Sequence, residues 1–160
     1  LCLTHQPKYA VMGSSQAAND LKEQLSGKVS TVVLHGLEAL IEVSQSSDVD
    51  TVMAAIVGAA GLKPTLAAID AGKTVLLANK EALVMSGQLF IDHARRSGAK
   101  ILPVDSEHNA IFQCLPEAAQ EQVGAMSLNE HGVDYLLLTG SGGPFRDLPI
   151  DKLEQQTQRA

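Results

Sequence analysis

The chain has 160 residues, of which 45% are hydrophobic, and this is enough for one packed core or one core and part of a second. Twelve Lys and Arg residues against eighteen Asp and Glu give a formal charge of -6, and there is no basic run, which argues against nucleic acid as a partner. No apolar stretch approaches the ~20 residues needed to cross a bilayer, so we expect a globular protein that does not enter membranes.

The cysteine pattern predicts a reducing compartment. Cys2 and Cys114 are far apart and have neither a metal-binding nor a redox spacing, so a cytoplasmic location is expected. The chain begins at Leu1 and not at Met, and we therefore expect it to be part of a longer protein.

Residues 1–104 alternate between predicted strands and predicted helices. Strands are predicted at residues 9–12, 29–34, 50–57, 74–78 and 100–104. Helices are predicted at residues 16–26, 36–44, 64–71 and 80–97. The apolar run at 50–57 has the composition of a strand that is buried on both faces. This alternation predicts an α/β fold, a Rossmann-like and mostly parallel sheet flanked by helices, with right-handed crossovers.

The regular alternation stops after Val104. A short helix is predicted after residue 105, a polar irregular stretch covers 116–131, and a further strand is predicted at 133–139. We place a domain boundary at this point, with residues 1–104 in the first domain and 105–160 at the beginning of a second.

Parallel sheets bind ligands at the carboxyl ends of their strands, and one predicted strand end carries Asp105, Ser106 and Glu107. If the backbone is extended there, residues two apart point to the same side with Cα atoms roughly 7 Å apart. Two carboxylates in that arrangement suit Mg²⁺ or Mn²⁺. The same residues also fit a plain helix start, in which Ser106 caps the helix and the acids favour its dipole.

A second strand end carries Asn79, Lys80 and Glu81. Asn79 is a good helix cap and Glu81 suits a first helical turn, so ordinary helix chemistry explains both. Lys80 opposes the helix dipole, which is tolerable if its amine reaches an anionic ligand.

Two glycine-containing segments follow other strands. The turn at residues 58–61 lets a ligand approach the backbone, although such turns are common without a ligand. The segment at 140–146 has three glycines, Ser141 and Arg146, and it fits either an anion-binding loop or a simple turn. Four of the five histidines, among them His93, have no evident partners in sequence, and His108 follows Glu107 at a helix start. We expect all five to be structural or solvent-exposed.

Four segments together resemble the 1-deoxy-D-xylulose 5-phosphate reductoisomerase family, in that family's order and spacing. They are VMAAIVGAAG at 52–61, LLANKEAL at 76–83, PVDSEHNAIFQ at 103–113 and LLTGSGGPFR at 137–146. The similarity extends over essentially the whole chain, and it is greatest to the proteobacterial members.

The resemblance implies an NADPH-binding domain followed by the beginning of an α+β catalytic domain. It also implies an activity: with Mn²⁺ or Mg²⁺ bound, the phosphorylated sugar 1-deoxy-D-xylulose 5-phosphate is isomerised and then reduced by NADPH to 2-C-methyl-D-erythritol 4-phosphate. This is a step of non-mevalonate isoprenoid synthesis. Family members are dimers, so a homodimer is expected of the full-length protein, with an exposed edge near Tyr135 as one place for pairing.

The resemblance gives roles to the marked residues. Asp105 and Glu107 match metal ligands, and Ser106 and Glu107 match substrate contacts. Lys80 matches a group that reaches the substrate, and with Glu107 it is the candidate catalytic residue. Ser141 matches a contact on the phosphate side of the substrate.

On the cofactor side, Asn79 and Glu81 match residues that line the NADPH site. The Gly-rich loop that opens the family's NADPH domain is missing from residues 1–160, as are a later metal-binding carboxylate and the rest of the phosphate pocket. We therefore expect the chain by itself to be inactive. Two alternative hypotheses for the function are a metal-dependent phosphoesterase that uses Asp105 and Glu107, and a non-catalytic α/β binding module.

Overall fold

The structure of the chain is a computed structural model, and it describes residues 1–121, 124, 127–138 and 143–156. Its strands are β1 Tyr9–Met12, β2 Val32–His35, β3 Thr51–Ala54, β4 Thr74–Leu77 and β5 Lys100–Pro103. Its α-helices are α1 Cys2–His5, α2 Ser15–Leu25, α3 Gly36–Gln45, α4 Leu62–Asp70, α5 Lys80–Ser97, α6 Ser106–Cys114 and α7 Glu117–Gln120. Short 3₁₀ turns occupy Gly58–Gly61, Leu128–His131, Gly143–Phe145 and Ile150–Gln155.

All pairs of neighbouring strands are parallel, and each pair is connected through a helix. The strands form two sheets, one with the order β1-β2 and one with the order β3-β4-β5. The predicted α/β class is confirmed, but the sheet is divided into two, and α3 packs against α4 where the two units meet.

The larger core lies between the three-stranded sheet and helices α4 and α5. Its largest fully buried side chains are Phe90, Ile69 and Val75. Each such side chain contributes roughly 1.5–3 kcal/mol by leaving water. His93 Nδ1 lies 2.5 Å from Asp70 Oδ1 and joins α5 to α4, in agreement with the expected structural role of His93.

The smaller core belongs to the two-stranded sheet. Ala18, Leu25 and Val33 are buried together there. Ser14 caps α2, because its Oγ accepts a hydrogen bond from Ala17 N at 3.2 Å.

Strand β3 is shorter than predicted and is not buried on both faces. Only Thr51–Ala54 is in the strand, and Met53 and Val57 are 54% and 79% exposed. Burial of the two faces of a strand depends on the elements that pack over them. Among the described residues β3 is an edge strand paired with β4 alone, so its apolar composition did not predict its exposure.

The strand predicted at 133–139 is wrong in the part that the structure describes. Residues 133–138 have no strand assignment, and Thr139 lies outside the described residues. Tyr135 is 74% exposed and Leu137 is 80% exposed. Apolar composition favours a strand, but a strand also needs a hydrogen-bonded neighbour, and in the described residues this segment has none.

Helix α5 begins and ends where the sequence predicted. Asn79 caps its start, and Gly98 ends it with a left-handed φ of 75°, a conformation that glycine adopts without strain. Within it, Ser86 has a non-helical φ of -144° and marks a kink. In the described part of the chain no helix is both long and apolar enough to cross a membrane.

Candidate functional site

The candidate site lies at the carboxyl ends of β3, β4 and β5. Because these strands are parallel and in register, their ends lie side by side at one edge of the sheet. The Gly58–Gly61 turn follows β3, Asn79 and Lys80 follow β4, and Asp105 follows β5. Three of the four segments singled out in the sequence are therefore neighbours in space.

At the end of β4, Asn79 is only 3% exposed. Its Oδ1 accepts a hydrogen bond from Ala82 N at 3.1 Å and so caps α5. Its Nδ2 donates to the carbonyl oxygens of Ile56 at 2.5 Å and Gly58 at 2.9 Å. Lys80, the first residue of α5, is exposed, and the Asn79 contacts fix the backbone from which its side chain extends.

At the end of β5, Asp105 caps α6. Its Oδ1 accepts hydrogen bonds from His108 N at 3.1 Å and from the His108 ring at Nδ1–Oδ1 2.7 Å. Asn109 Nδ2 donates to the carbonyl oxygen of Pro103 at 2.8 Å and closes the turn from within the helix. The turn is thus held from two sides.

This geometry corrects two sequence expectations. The cap is Asp105 and not Ser106, because Ser106 is already the first residue of the helix. The extended-backbone argument for Asp105 and Glu107 is also wrong, because only Asp105 has extended backbone angles and Glu107 lies in the first helical turn. The backbone at residues 105–107 is that of a helix start, as the alternative hypothesis predicted.

The electrostatics at the end of β5 keep Asp105 ionised. Burial raises the pKa of its carboxyl, but the hydrogen bonds from the backbone and ring of His108 and the electrostatic attraction to His108 and Lys80 together lower it by more. The net effect is an Asp105 pKa below its usual range. Lys80 and Asp105 therefore act on each other across the ends of adjacent strands.

Lys80, Asp105 and His108 also line one cavity of about 710 Å³. Its other walls are largely apolar and include Ile101 and Phe112. Among the described residues, Ser106, Glu107 and Glu81 are exposed and do not line this cavity. Ser141 lies outside the described residues.

The Asp105 carboxylate is a hard oxygen ligand of the kind that Mg²⁺ and Mn²⁺ prefer, and both hydrogen bonds recorded for it are accepted by Oδ1. In the described ranges, no group of three or more His, Cys, Asp or Glu side chains is placed to hold a metal. The residues fit part of a divalent cation site.

Sequence reasoning missed the roles of His108 and Asn109 in holding the turn. The spacing gave a signal, since a residue three positions after a capping Asp presents its N–H to the cap. The Asn79 bonds to residues 56 and 58 had no such signal, because they link positions 23 and 21 residues apart.

Two models of one protein family match this chain. The model for 1-deoxy-D-xylulose 5-phosphate reductoisomerase matches residues 1–87. The model for the C-terminal domain of 1-deoxy-D-xylulose 5-phosphate reductoisomerase matches residues 101–160. The two matches lie on either side of the end of α5.

Curated relatives with the name 1-deoxy-D-xylulose 5-phosphate reductoisomerase align along the chain. The protein from Idiomarina loihiensis is 72% identical over 160 residues, which is 100% of this chain and 40% of the relative. The protein from Aliivibrio salmonicida is 59% identical over 158 residues, or 98% of this chain and 40% of the relative. The chain thus spans about 40% of the length of the curated relatives that it matches.

Solved structures agree with this assignment. A crystal structure of DOX-P reductoisomerase in complex with magnesium superposes with a TM-score of 0.84 at 45% identity, covering 99% of this chain and 40% of that one. The same enzyme with NADPH, fosmidomycin and magnesium gives a TM-score of 0.83 at 45% identity, with 98% and 38% covered. From the family models, the relatives and the shared fold, this chain belongs to the 1-deoxy-D-xylulose 5-phosphate reductoisomerase family.

Proposed function

We propose that this chain carries part of the active site of a 1-deoxy-D-xylulose 5-phosphate reductoisomerase, an NADP-dependent oxidoreductase of non-mevalonate isoprenoid synthesis. The single observation that carries the proposal is that Lys80 and Asp105 line one cavity at the ends of adjacent parallel strands. A cation and an ionised carboxylate in that arrangement suit an anionic substrate beside a bound metal. The relatives' names and the NADPH and magnesium in a solved structure support the same assignment.

In this proposal Asp105 and Glu107 hold Mg²⁺ or Mn²⁺. A divalent metal held by these two residues would supply Lewis-acid polarisation of substrate oxygens. Asp105 contributes an ionised carboxylate, which His108 orients through Oδ1. Glu107 is exposed at the start of α6, where it can turn toward an incoming ligand.

Lys80 and Ser106 contact the substrate in this proposal, and Ser141 contacts it on the phosphate side. The exposed amine of Lys80 balances the charge of the sugar phosphate. Asn79 and Glu81 border the NADPH site beside it. A solved structure of the family contains fosmidomycin, and this supports a phosphate-like ligand for the family's fold.

A hybrid protein tests the activity. Residues 1–160 would replace the matching 40% of the Idiomarina loihiensis relative, and NADPH oxidation would be followed with deoxyxylulose phosphate and Mn²⁺. We expect turnover in the hybrid and none in the 160-residue chain alone. A folded hybrid without turnover would contradict the proposed activity. Turnover by the 160-residue chain alone would contradict the proposal that it carries only part of the active site.

Glu107→Gln is the sharpest single change for the metal assignment. The amide cannot supply the negative oxygen, so metal-dependent turnover of the hybrid should fall on the order of 100-fold or more. The thermal midpoint should stay unchanged, because Glu107 is exposed. Glu38→Gln, at another helix start, is the matched control and should leave turnover intact. Unfolding of the Glu107→Gln protein would favour a purely structural role.

Three further features belong to the same proposal. We infer that residues 1–104 form part of the NADPH-binding domain and that 105–160 begin the catalytic domain, which the two family-model matches support. We also infer a homodimer and a cytoplasmic location for the full-length protein. Light scattering of the hybrid tests the dimer, and fractionation of cells that express the full-length protein tests the location.

A further inference from the structure

The side chain of Asn79 is buried, and both its oxygen and its nitrogen are hydrogen-bonded within the protein. Helix capping explains only Oδ1, which accepts from Ala82 N. The two donated bonds, to Ile56 O and Gly58 O, leave the helix and reach the loop after β3. The backbone N–H of Asn79 donates as well, to Ala54 O at 2.9 Å. Asn79 therefore makes four hydrogen bonds within the protein, and three of them connect it to residues 54, 56 and 58.

The orientation of the amide follows from its neighbours. If the oxygen and nitrogen were exchanged, the oxygen would face two carbonyl oxygens and the NH₂ group would face the Ala82 N–H. Both contacts would be repulsive, so only one orientation satisfies the groups. Asp would keep the cap and lose both donors, and Ser would keep the cap without reaching the loop.

Gly61 shows how close this contact is. A Cβ added at Gly61 would lie 2.5 Å from Ile56 O and 2.7 Å from Asn79 Nδ2. The φ of Gly61 is an ordinary -79°, so glycine is needed here for space and not for backbone conformation. Asn79 and Gly61 therefore form one packed contact between the ends of β3 and β4.

We propose that Asn79 is a positioning residue, whose side chain ties residues 56–61 to the start of α5 and so holds the loop after β3 and Lys80 at a fixed separation. Both ends of its side-chain amide are bonded within the protein, so the amide acts on the proposed NADPH site through this loop. This inference rests on the proposed function for the cofactor, but the tie itself is a property of the chain without ligand.

The first test measures the ligand-free chain. Amide chemical shifts would be compared between the 160-residue chain and its Asn79→Ser variant, in which Ser keeps the cap. We expect the amides of residues 56–62 to shift while Ala82 keeps its capped environment. If shifts are confined to residues 79–82, the tie does not exist and the inference is overturned.

Two controls match this variant. Asn109→Ser removes a bond of the same kind, from an Asn side chain to a backbone carbonyl, at the end of β5. It should shift residues near Pro103 and leave 56–62 unchanged. Ser14→Ala removes a helix cap in the smaller unit and should leave both strand ends unchanged.

A double-mutant cycle separates a shared contact from independent effects. Gly61→Ala should displace the same loop as Asn79→Ser, and the double variant should destabilise the chain by less than the sum of the two. Additive effects would show that the two residues act separately, which would overturn the packed contact.

The last test uses the hybrid protein. Asn79→Ser should raise the KM for NADPH on the order of tenfold or more, with the Mn²⁺ requirement unchanged, because outer residues that hold a binding loop act at this scale. A raised KM without shifts at 56–62 in the ligand-free chain would show that Asn79 contacts the cofactor directly, against the inference. If Asn79→Ser shifts the loop amides but the hybrid without that substitution does not oxidise NADPH, the proposed function is wrong. The contact between Asn79 and the loop is then still supported. An unchanged KM with a displaced loop would overturn the positioning role.

Discussion

Two strand-to-helix turns on neighbouring strands solve the same capping problem with different residues. After β4, Asn79 accepts the bond from the N–H three residues on, and after β5, Asp105 does the same. The surroundings differ, because Asn79 is 3% exposed, whereas the Asp105 side chain is 16% exposed and lines the cavity.

Burial distinguishes the structural role of Asn79 from the chemical role proposed for Asp105. The neutral amide can be buried, because its donors and its acceptor all find partners. The carboxylate keeps its charge beside His108 and Lys80, and that charge is available to a ligand. Exchanging the two residue types should therefore damage each turn in a different way.

The largest effect is expected for Asn79→Asp. The new carboxylate keeps the cap but faces the carbonyl oxygens of Ile56 and Gly58 without a proton to donate. A buried acceptor in that position should lower the free energy of unfolding by on the order of 3 kcal/mol. Urea unfolding of the 160-residue chain measures this. A loss below about 1 kcal/mol would mean that the two donated bonds contribute little.

The reverse exchange, Asp105→Asn, should affect turnover and not stability. Asn caps helices about as well as Asp, so the free energy of unfolding should change by less than about 1 kcal/mol. Turnover of the hybrid should fall on the order of 100-fold, because the metal loses an ionised ligand. The experiment is an Mn²⁺ titration of NADPH oxidation. Equal turnover in both proteins would remove Asp105 from the metal site.

Much of the regular structure follows from local signals in the sequence. Helix α5 has its predicted bounds because Asn79 and Gly98 are strong start and stop signals. The neighbourhood of Lys80 and Asp105 follows from the rule that parallel strands end at one edge. Neither inference needed a distant contact.

The features that sequence did not reveal depend on distant contacts. Residues 133–138 have strand composition, yet pairing decides whether a strand forms. The run at 50–57 is apolar, yet the elements that pack over its faces decide its burial, and Met53 and Val57 are exposed. The second and third bonds of Asn79 reach back to residues 56 and 58, which no local pattern marks.

The smallest effect is expected in the pH dependence of stability. It distinguishes stabilisation by the negative charge of Asp105 from stabilisation by its helix cap. Because the folded-state pKa lies below the unfolded value of about 3.9, the ionised carboxylate adds stability above that pH, and this is lost as pH falls through the folded pKa. The difference in unfolding free energy between the wild-type chain and Asp105→Asn should therefore be constant from pH 7 to about 5 and should then shrink in acid.

Asp48 is the control, because its pKa is also lowered, by Lys8, while both side chains are largely exposed. Added salt should screen the Lys8–Asp48 pair more than the Asp105 contacts, since the Asp105 bond from His108 N is short-ranged and partly shielded from water. Acid unfolding curves of Asp48→Asn and Asp105→Asn at low and high salt measure both effects. An Asp105→Asn difference that stays constant into acid would show that the cap works without its charge, and the comparison with Asn79 would then rest on burial alone.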